Sequence, residues 1–473
     1  MTSFRFRRLV PALSAGAGAF ALTAIVTPAF AFGDDTALIM GGTGIGQPNP
    51  SPGWVTGANE LYVAVHHPGY TPEGLVTPEE LYPLTGVHSL TLDTSLAQGV
   101  TILNDAIFQN FDDNNDTVVL GYSQSATIAS LELDQLATVP SADRPDPSQL
   151  AFVLLGDPNN PNGGFFERFD GLSAPSLGVT FSGATPSDLY PTDIYTLEYD
   201  AAADFPQYPI DLPADLNAVA GFLLVHGNYP DLTPAQIDSA IPLPTAGDTM
   251  TNYYMIPVDN LPLLEPLRLI PVIGNPLADL IQPDLQVIVN LGYGSITDGW
   301  SQGPANVPTP FELFPTDISP TAVLDALLTG AQQGVQDFVA DLGSLSLSDP
   351  ALTSVLASLM KALDATDAIG GGGVATSGAD SLTDIVNTLS SVVSTDLGVL
   401  LPTADIGLAA ITTLPAYDAS LFVSGLDAGN LLDALGDPIA ADLGLIPMAA
   451  LVELGTIAEA AATTINDLAS LIP

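Results

Sequence analysis

Residues 117–126 read TVVLGYSQSA, so a β-branched apolar run ends at Gly121 and Ser123 follows two residues later. The residues after this segment have the apolar spacing of a helix. A strand, a tight turn that carries a serine and a helix form the context that a nucleophile elbow requires. The elbow pattern G-x-S-x-G has glycine at its last position, where this chain has Ser125. Serine is small enough for such a turn. The alternative interpretation of the whole stretch is an ordinary strand-to-helix turn with a surface serine.

The composition of the 473-residue chain excludes several classes of function. The chain has 7 Lys and Arg residues against 53 Asp and Glu residues, a formal net charge of −46 at pH 7. Nucleic acid is therefore excluded as a partner, and so is docking to anionic lipid head groups through a basic patch. Because there is no cysteine, thiol catalysis, disulfides and cysteine-ligated zinc are excluded as well. A hydrophobic content of 47% indicates a folded protein rather than a disordered acidic tail.

The first 31 residues have the pattern of an export signal. A start with three arginines precedes a mostly apolar stretch over residues 9–26, and Ala29, Phe30 and Ala31 fit a small-x-small cleavage site. We expect a signal peptide over residues 1–31, and we favour its removal because prolines bound the apolar stretch and leave it short for a membrane span. A signal anchor that stays in the membrane is the alternative. We expect no later stretch to span a bilayer.

Short buried strands alternate with helices along the first half of the chain. Strand patterns occur at residues 36–40, 61–65, 117–122, 150–155 and 193–199. Helical patterns occur at residues 89–111, after the serine turn, and from about residue 213. This alternation predicts an α/β fold with a mostly parallel sheet and helices on both faces. The serine turn within it indicates the α/β-hydrolase type.

The composition divides the chain into three parts. The signal peptide is followed by the α/β-hydrolase domain at residues 32–302, in which we interpret the proline-rich residues 240–300 as a lid or substrate wall. Alanine, leucine and aspartate dominate residues 303–473, which predicts a helical, low-complexity C-terminal region. This region contains no histidine and one basic residue, Lys361, so we expect no catalytic group in it.

A serine nucleophile requires a histidine base and an acid that orients the histidine. In α/β-hydrolases these groups follow one another as nucleophile, acid and histidine. Of the four histidines in the chain, only His226 lies after Ser123, so we predict that His226 is the base. A structural histidine at the end of a helix is the alternative interpretation.

Three aspartates, Asp157, Asp200 and Asp204, follow predicted strands between the serine and the histidine. The chemistry of such sheets lies beyond the carboxyl ends of the strands, so each of the three could supply the acid. We prefer Asp204, which lies in a loop just past a strand, and we retain Asp200 as the alternative.

Two backbone donors are predicted for the oxyanion that forms during attack. The helix that begins near Gln124 directs its free N–H groups toward this charge, and Thr43 in the glycine-rich loop after the first strand is the second candidate. That loop does not fit the G-x-G-x-x-G dinucleotide pattern, so we expect no cofactor. We also expect no metal, because the adjacent His66 and His67 would point to opposite faces of a strand.

Five ordered motifs together resemble the PE-PPE domain, a mycobacterial serine α/β-hydrolase domain related to cutinases. The motifs are MGGTG at residues 40–44, GYSQS at 121–125, LGDPN at 155–159, YDAAADFP at 199–206 and VHG at 225–227. The resemblance covers about residues 36–300 and implies nothing about residues 303–473. It implies a triad of Ser123, of Asp204 or Asp200, and of His226. Because a leader stands where the family often has a helical PE or PPE module, we expect export by a general route to the outside or the cell envelope.

Three functions remain open at this point. The first is an exported esterase that acts on acyl esters through an acyl-enzyme. The second, which the resemblance implies, is an acyltransferase that builds trehalose-based envelope glycolipids through the same acyl-enzyme. The third is a catalytically inactive envelope-binding protein. Peripheral association with the cell envelope is a further expectation.

Overall fold

The computed structural model describes residues 35–44, 49–344 and 400–469, so the predicted signal peptide lies outside the described residues. The strands among these residues are β1 (Thr36–Ile39), β2 (Thr71–Gly74), β3 (Thr117–Tyr122), β4 (Leu150–Leu155), β5 (Ser173–Ala174), β6 (Val179–Thr180), β7 (Thr192–Leu197), β8 (Ile241–Pro242) and β9 (Thr251–Ile256). The α-helices are α1 (Pro52–Ala58), α2 (Leu92–Asp112), α3 (Gln124–Thr138), α4 (Phe165–Arg168), α5 (Leu212–Leu224), α6 (Pro234–Asp238), α7 (Glu265–Arg268), α8 (Gly274–Leu291), α9 (Pro320–Ser344), α10 (Leu400–Asp427) and α11 (Leu431–Ala469).

The central sheet has seven strands in the order β2-β1-β3-β4-β7-β9-β8. All neighbours are parallel except β8, which is antiparallel to β9. Every residue of β3 and β4 is buried, because helices cover both faces of a parallel sheet. The predicted fold class, a mostly parallel sheet with helices on both faces and a helical C-terminal region, is confirmed.

Neighbouring strands end side by side along one edge of the sheet, and the candidate site lies at this edge. In the register between β3 and β4, Tyr122 pairs with Leu155, so these strands end side by side. On the other side of β3, Ile39 of β1 pairs with Leu120. The loops that follow β1, β3, β4 and β7 therefore emerge at one edge, which is where open α/β sheets bind ligands.

Two sequence predictions need correction, one about a strand and one about the predicted lid or wall. Residues Asn59–Val63 form a π-helical turn rather than a strand, and the second strand is the mostly exposed Thr71–Gly74 at the edge of the sheet. Short apolar runs do not distinguish a buried strand from a buried helical turn, which explains the error. The second correction concerns β9, a strand of the central sheet that falls inside the predicted lid or wall.

The segment after residue 302 continues the packing of the preceding α/β domain. Phe311 is buried with its ring centroid 5.3 Å from that of Phe169, and Leu313 is buried in the same cluster. Ala440 and Ala441 of α11 are buried in this cluster as well. The C-terminal helices α10 and α11 pack against each other, and α11 also contacts α5. The composition change at residue 303 therefore does not correspond to a break in the core.

Arg168 anchors the start of the C-terminal region. Its fully buried guanidinium donates to the Phe205 carbonyl at 3.0 Å and to Ser301 Oγ at 2.6 Å. The remaining terminal nitrogen donates to Thr309 Oγ1 at 2.6 Å and to the Thr309 carbonyl. Burial lowers the pKa of this arginine to about 10. Thr309 thus supplies hydrogen bonds without which a buried cation would be costly.

Two C-terminal helices correct the expectation that no later stretch could span a bilayer. Leu401–Asp427 and Leu431–Ile457 are long and apolar enough to cross a membrane, by length and composition only. Within their most apolar windows, only 6% and 28% of the residues are buried in the protein. Apolar side chains such as Ile411 and Leu454 are therefore exposed on this surface.

Candidate active site

Ser123 lies in a strained turn between β3 and α3. Its φ of 56° and ψ of −117° are uncommon for a residue with a side chain, and such strain is frequent at functional sites. Gly121 makes the close turn possible, because a Cβ atom there would lie 2.6 Å from the Ser125 carbonyl oxygen and 2.8 Å from Ala126 Cα. The sequence prediction of a strand, a tight turn and a helix at this point is confirmed.

Ser125, which departs from the G-x-S-x-G pattern, closes the same turn. Its hydroxyl accepts a hydrogen bond from the Tyr122 backbone N–H at 2.8 Å and donates to the Tyr122 carbonyl at 3.1 Å. The Ser125 side chain is fully buried and pairs with both the backbone N–H and the backbone carbonyl of Tyr122. The departure from the pattern therefore adds two hydrogen bonds to the elbow and does not disturb it.

Ser123, His226 and Asp200 form a continuous hydrogen-bonded chain. Ser123 Oγ lies 2.8 Å from His226 Nε2, and His226 Nδ1 lies 2.8 and 2.9 Å from the two oxygens of Asp200. Asp200 is fully buried and His226 is buried, whereas Ser123 is half-buried. This is the arrangement of a nucleophile, a base and an orienting acid.

The preference for Asp204 as the orienting acid does not fit this geometry. Asp204 Oδ2 accepts a hydrogen bond from the Tyr199 backbone N–H at 2.9 Å, and Oδ1 has no hydrogen-bond partner among the described residues. Burial raises the pKa of Asp204 well above its usual range, although the hydrogen bond from the Tyr199 backbone N–H lowers it. The sequence did not distinguish the two aspartates because both follow β7 in one turn, and spacing alone does not show which carboxylate faces the histidine.

Asp157, the remaining aspartate, is also directed away from His226. Its carboxylate accepts hydrogen bonds from Thr185 Oγ1 at 2.6 Å and from the Asn159 backbone N–H at 3.0 Å. Burial raises its pKa to about 6, although both hydrogen bonds lower it. Asp157 therefore holds the loop after β4.

Three aromatic residues that the sequence did not indicate as part of the site surround His226 and Asp200. The rings of Tyr122 and Phe222 lie nearly parallel to the imidazole, with centroids at 5.4 and 5.0 Å. The Tyr122 hydroxyl donates to the His226 carbonyl at 2.7 Å, which fixes the backbone of the base. The Tyr229 hydroxyl donates to Asp200 Oδ2 at 2.9 Å. Tyr122 stands inside the GYSQS motif, but no sequence feature marked its contact with the histidine.

Backbone groups also position the acid. The Ala202 N–H donates to Asp200 Oδ1 at 3.0 Å, and the Leu197 N–H donates to the Tyr229 hydroxyl at 2.9 Å. Gly156 has a φ of +57°, and a Cβ atom there would lie 3.1 Å from His226 Cε1 and 3.2 Å from Asp200 Oδ2. The glycine of the LGDPN motif therefore leaves room for the contact between histidine and aspartate.

The two predicted oxyanion donors lie on either side of the elbow. Gln124 is the first residue of α3, so its backbone N–H has no acceptor within the helix. The loop that carries Thr43 begins beside β3, where the Met40 N–H donates to the Leu120 carbonyl at 3.0 Å. Gly42 packs closely against Tyr122, since a Cβ atom on Gly42 would lie 2.7 Å from a carbon of the Tyr122 ring. The structure thus places this loop beside the serine turn, and the role of Thr43 stays a prediction.

The other histidines do not contact the serine. His66 is exposed, with Nε2 3.4 Å from the Tyr195 hydroxyl, and the His67 ring packs edge-on against Tyr70. His66 and Tyr195 line a separate cavity of about 220 Å³ that does not include Ser123. Among residues 35–44, 49–344 and 400–469, no group of three or more acidic or histidine side chains is placed to hold a metal ion.

The PE-PPE domain family model matches residues 68–294. The chain is 48% identical over 451 residues to the "Uncharacterized PPE family protein PPE28" of Mycobacterium tuberculosis, which covers 92% of this chain and 67% of that protein. It is 47% identical over 328 residues to the "Esterase PE16" of the same organism, covering 67% of this chain and 60% of that protein. The chain therefore spans less than two thirds of the length of this esterase.

A more distant relative and a solved structure also match. The "SL1278 acyltransferase Chp1" of M. tuberculosis is 30% identical over 294 residues, covering 59% of this chain and 67% of that protein. A structure titled "A novel cutinase-like protein from Cryptococcus sp." covers 36% of this chain and 79% of its own at 19% identity, with a TM-score of 0.24, too low for a comparison of sites. The resemblance stated from the five motifs is confirmed by the family match and by PPE28, and the chain belongs to the PE-PPE domain family.

Proposed function

We propose that this protein is an exported serine hydrolase that cleaves acyl esters. The observation that carries the proposal is the chain of contacts from Ser123 Oγ to His226 Nε2 at 2.8 Å and from His226 Nδ1 to Asp200 at 2.8 Å. The esterase named among the relatives supports this reaction class. A catalytically inactive envelope-binding protein gives no reason for a strained serine held against an oriented histidine.

Each step of ester cleavage has a group in this arrangement that would carry it out. His226 Nε2 accepts the proton of Ser123 Oγ while this oxygen attacks the ester carbonyl carbon. Asp200 accepts the Nδ1–H of the imidazole and stabilises the imidazolium that forms. The imidazolium returns the proton to the leaving alkoxide as the acyl-enzyme forms, and water then repeats the sequence to release the acid.

Backbone N–H groups stabilise the negative charge of the tetrahedral intermediate in this proposal. Gln124 supplies one N–H from the start of α3, where the helix dipole adds to the effect, and Thr43 supplies the second from the loop after β1. Donors fixed on rigid elements lower the barrier because they need not reorganise during the reaction.

The second candidate function is acyl transfer onto a glycolipid hydroxyl group. Two relatives support it by name, the "SL1278 acyltransferase Chp1" at 30% identity and the "Diacyltrehalose acyltransferase Chp2" at 28% identity. Both reactions share the acyl-enzyme and differ only in the acceptor, which is water for the hydrolase and a sugar or lipid hydroxyl for the transferase. The substrate in either case is an acyl ester or glycolipid.

We also propose that the protein is exported and associates peripherally with the cell envelope. The N-terminal leader pattern supports export, and the exposed apolar side chains of α10 and α11 support contact with lipid. The net charge of −46 favours uncharged over anionic lipid surfaces. Flotation with neutral and anionic vesicles tests this, and absence of binding to neutral vesicles would contradict it.

Labelling with a fluorophosphonate tests the function directly. We expect one modified residue, Ser123, identified by mass spectrometry of the labelled protein. A panel of acyl esters, with and without trehalose lipids as acceptors, then distinguishes hydrolysis from transfer by the product formed. A folded protein that does not react with the probe and cleaves no ester would refute both candidates.

A further inference from the structure

A short segment after β2 connects the two predicted halves of the oxyanion hole. This segment, Thr77–Glu80, contains Glu79, a residue with a side chain in the left-handed region at φ 49°. Glu79 is only 2% exposed, although it forms no ion pair within the described part of the chain. A buried carboxylate without a cation is costly and calls for an explanation.

The carboxylate of Glu79 holds the loop that follows β1. Thr77 Oγ1 donates to one of its oxygens, and Asn49 Nδ2 donates to the other. The same Asn49 amide nitrogen also lies 3.1 Å from the Gly42 carbonyl, so one side chain joins Glu79 to the loop. A Cβ atom at Gly41 would overlap Asn49 and lie 3.1 Å from Glu79 Oε2, which shows how closely the loop lies against this pair.

The neighbouring residue, Glu80, holds the half of the predicted oxyanion hole that α3 supplies. It does so through its backbone N–H and carbonyl groups. The Glu80 carbonyl accepts a hydrogen bond from Gln124 Nε2 at 2.9 Å, and the Glu80 N–H donates to Ser95 Oγ at 3.1 Å. Ser95 Oγ in turn donates to Gln124 Oε1 at 3.1 Å. Both ends of the Gln124 side chain are therefore fixed, which sets the position of the first turn of α3.

We propose that Glu79 is a positioning residue for the oxyanion hole: its carboxylate holds the Gly41–Gly44 loop so that Thr43 and Gln124 face one developing negative charge. This inference rests on the proposed function and adds to it the group that sets the distance between the two donors. Glu79 itself does not touch the substrate.

The surroundings of Glu79 also change the pKa of its carboxyl group. Burial raises the pKa of Glu79 to about 7, although Thr77, Asn49 and the Gly41 backbone N–H lower it. An amide at this position would avoid the cost of burying a charge, but it has only one acceptor oxygen. Its N–H₂ group would face either the N–H₂ of Asn49 or the hydroxyl of Thr77, which would then have to accept rather than donate. A Glu79→Gln variant should therefore stay folded while its loop shifts, the kind of trade between stability and function found at active sites.

Glu132 provides a matched control. It is buried on α3, its carboxylate accepts one hydrogen bond from Asn104 at 2.8 Å, and burial raises its pKa to about 7 as well. Among the residues that the structure describes, Glu132 makes no hydrogen bond to the loop after β1. Glu132→Gln thus removes a similar buried charge without touching the oxyanion donors.

The experiment compares both variants with the wild-type protein on an activated ester. Because removal of one oxyanion donor costs about 10²- to 10³-fold in kcat, we expect misplacement in Glu79→Gln to lower kcat by about 10- to 100-fold with KM nearly unchanged. Binding of a boronic acid, whose serine adduct mimics the tetrahedral intermediate, should weaken by a similar factor. Glu132→Gln should match the wild type in both measurements.

Several outcomes would overturn the inference. These are a wild-type kcat in Glu79→Gln, an equal loss in Glu132→Gln, or a loss of kcat without weaker boronate binding. If Glu79→Gln does not fold, Thr77→Val removes one hydrogen bond to the same carboxylate and should lower kcat by a smaller factor; an unchanged kcat in that folded variant would overturn the inference too. A wild-type protein that neither cleaves esters nor reacts with a fluorophosphonate is a different result, because it refutes the proposed function itself.

Discussion

Asp200 and Asp204 lie in one turn after β7, and the Asp204 backbone N–H donates to the Asp200 carbonyl at 2.6 Å. Their side chains nevertheless point to different partners. Asp200 contacts the imidazole of His226 at 2.8 Å, whereas Asp204 accepts from the Tyr199 N–H at 2.9 Å. Because Tyr199 has a φ of 65°, the Asp204 carboxyl group supports a strained backbone that presents Asp200 to the histidine.

Substitution of the two aspartates should therefore have very different effects. Asp200→Asn should lower kcat by about 10⁴-fold, because the imidazole would be held in the wrong tautomer. Asp204→Asn should lower it by less than about tenfold, since the amide oxygen of an asparagine can accept the same hydrogen bond from the Tyr199 N–H. Steady-state kinetics on one activated ester measures both. The reverse order would assign the orienting role to Asp204.

Ser123→Ala should abolish ester cleavage while the protein stays folded. Loss of the nucleophile in a triad costs about 10⁶-fold in kcat in a well-studied protease, so the remaining rate should be close to background. Ser125→Ala is the neighbouring control, because it removes the two hydrogen bonds of the elbow but leaves the nucleophile. We expect partial activity from Ser125→Ala, and comparable turnover by Ser123→Ala and the wild type would rule out the assignment.

His226 should be required for the reaction. In the proposed mechanism it accepts the proton of Ser123 Oγ, from which its Nε2 lies 2.8 Å. His226→Gln should remove nearly all activity, whereas Gln at His66, His67 or His88 should preserve it. The check is kcat/KM of each variant on one activated ester. A His226→Gln variant with the wild-type rate would show that another group is the base.

Buried carboxyl groups should make the fold more stable in mild acid. Burial raises the pKa of Asp215 to about 9 and that of Glu198 to about 7, against ordinary values near about 4. The folded state then holds more protons than the unfolded state above about pH 4, so stability falls as pH rises through these folded pKa values. We expect Tm to decrease from pH 5 to pH 8.

A variant series can attribute this pH dependence. Asp215 has no hydrogen-bond partner on either carboxylate oxygen among the described residues, so Asp215→Asn should make Tm depend less on pH. Glu60→Gln, at an exposed position, should leave the dependence unchanged. A Tm that rises between pH 5 and pH 8 would contradict the argument.

The site at which the chain is shortened should decide whether the hydrolase part remains folded. A chain that ends at residue 303 loses Thr309, which satisfies the buried guanidinium of Arg168, and also loses Phe311 and Leu313 from the core. A chain that ends at residue 318 keeps these contacts. We expect the longer form to have the higher Tm and to react with a fluorophosphonate, and equal Tm values would show that residues 304–318 contribute little.

The sequence predicted the order of strands and helices and the types of residue in the site. It predicted less well which side chains contact one another. The β-branched run before Gly121 and the position of His226 after Ser123 were sufficient to place the elbow and the histidine. Asp200 and Asp204 could not be distinguished, because a turn of a few residues can direct either side chain toward the site. Tyr229 and Glu79 were missed because their contacts join segments that are distant in the chain, and no local pattern records such contacts.

The burial of Arg168 has a practical consequence for proteolysis. Beyond residue 31 the chain has four basic residues, namely Arg144, Arg168, Arg268 and Lys361. Trypsin cleaves after basic residues but poorly before proline, and Arg144 precedes Pro145. Arg168 is fully buried, so trypsin can cut there only after the core has opened. The rate of cleavage at Arg168 is therefore a built-in measure of how often the hydrolase core opens, and it needs no engineered probe.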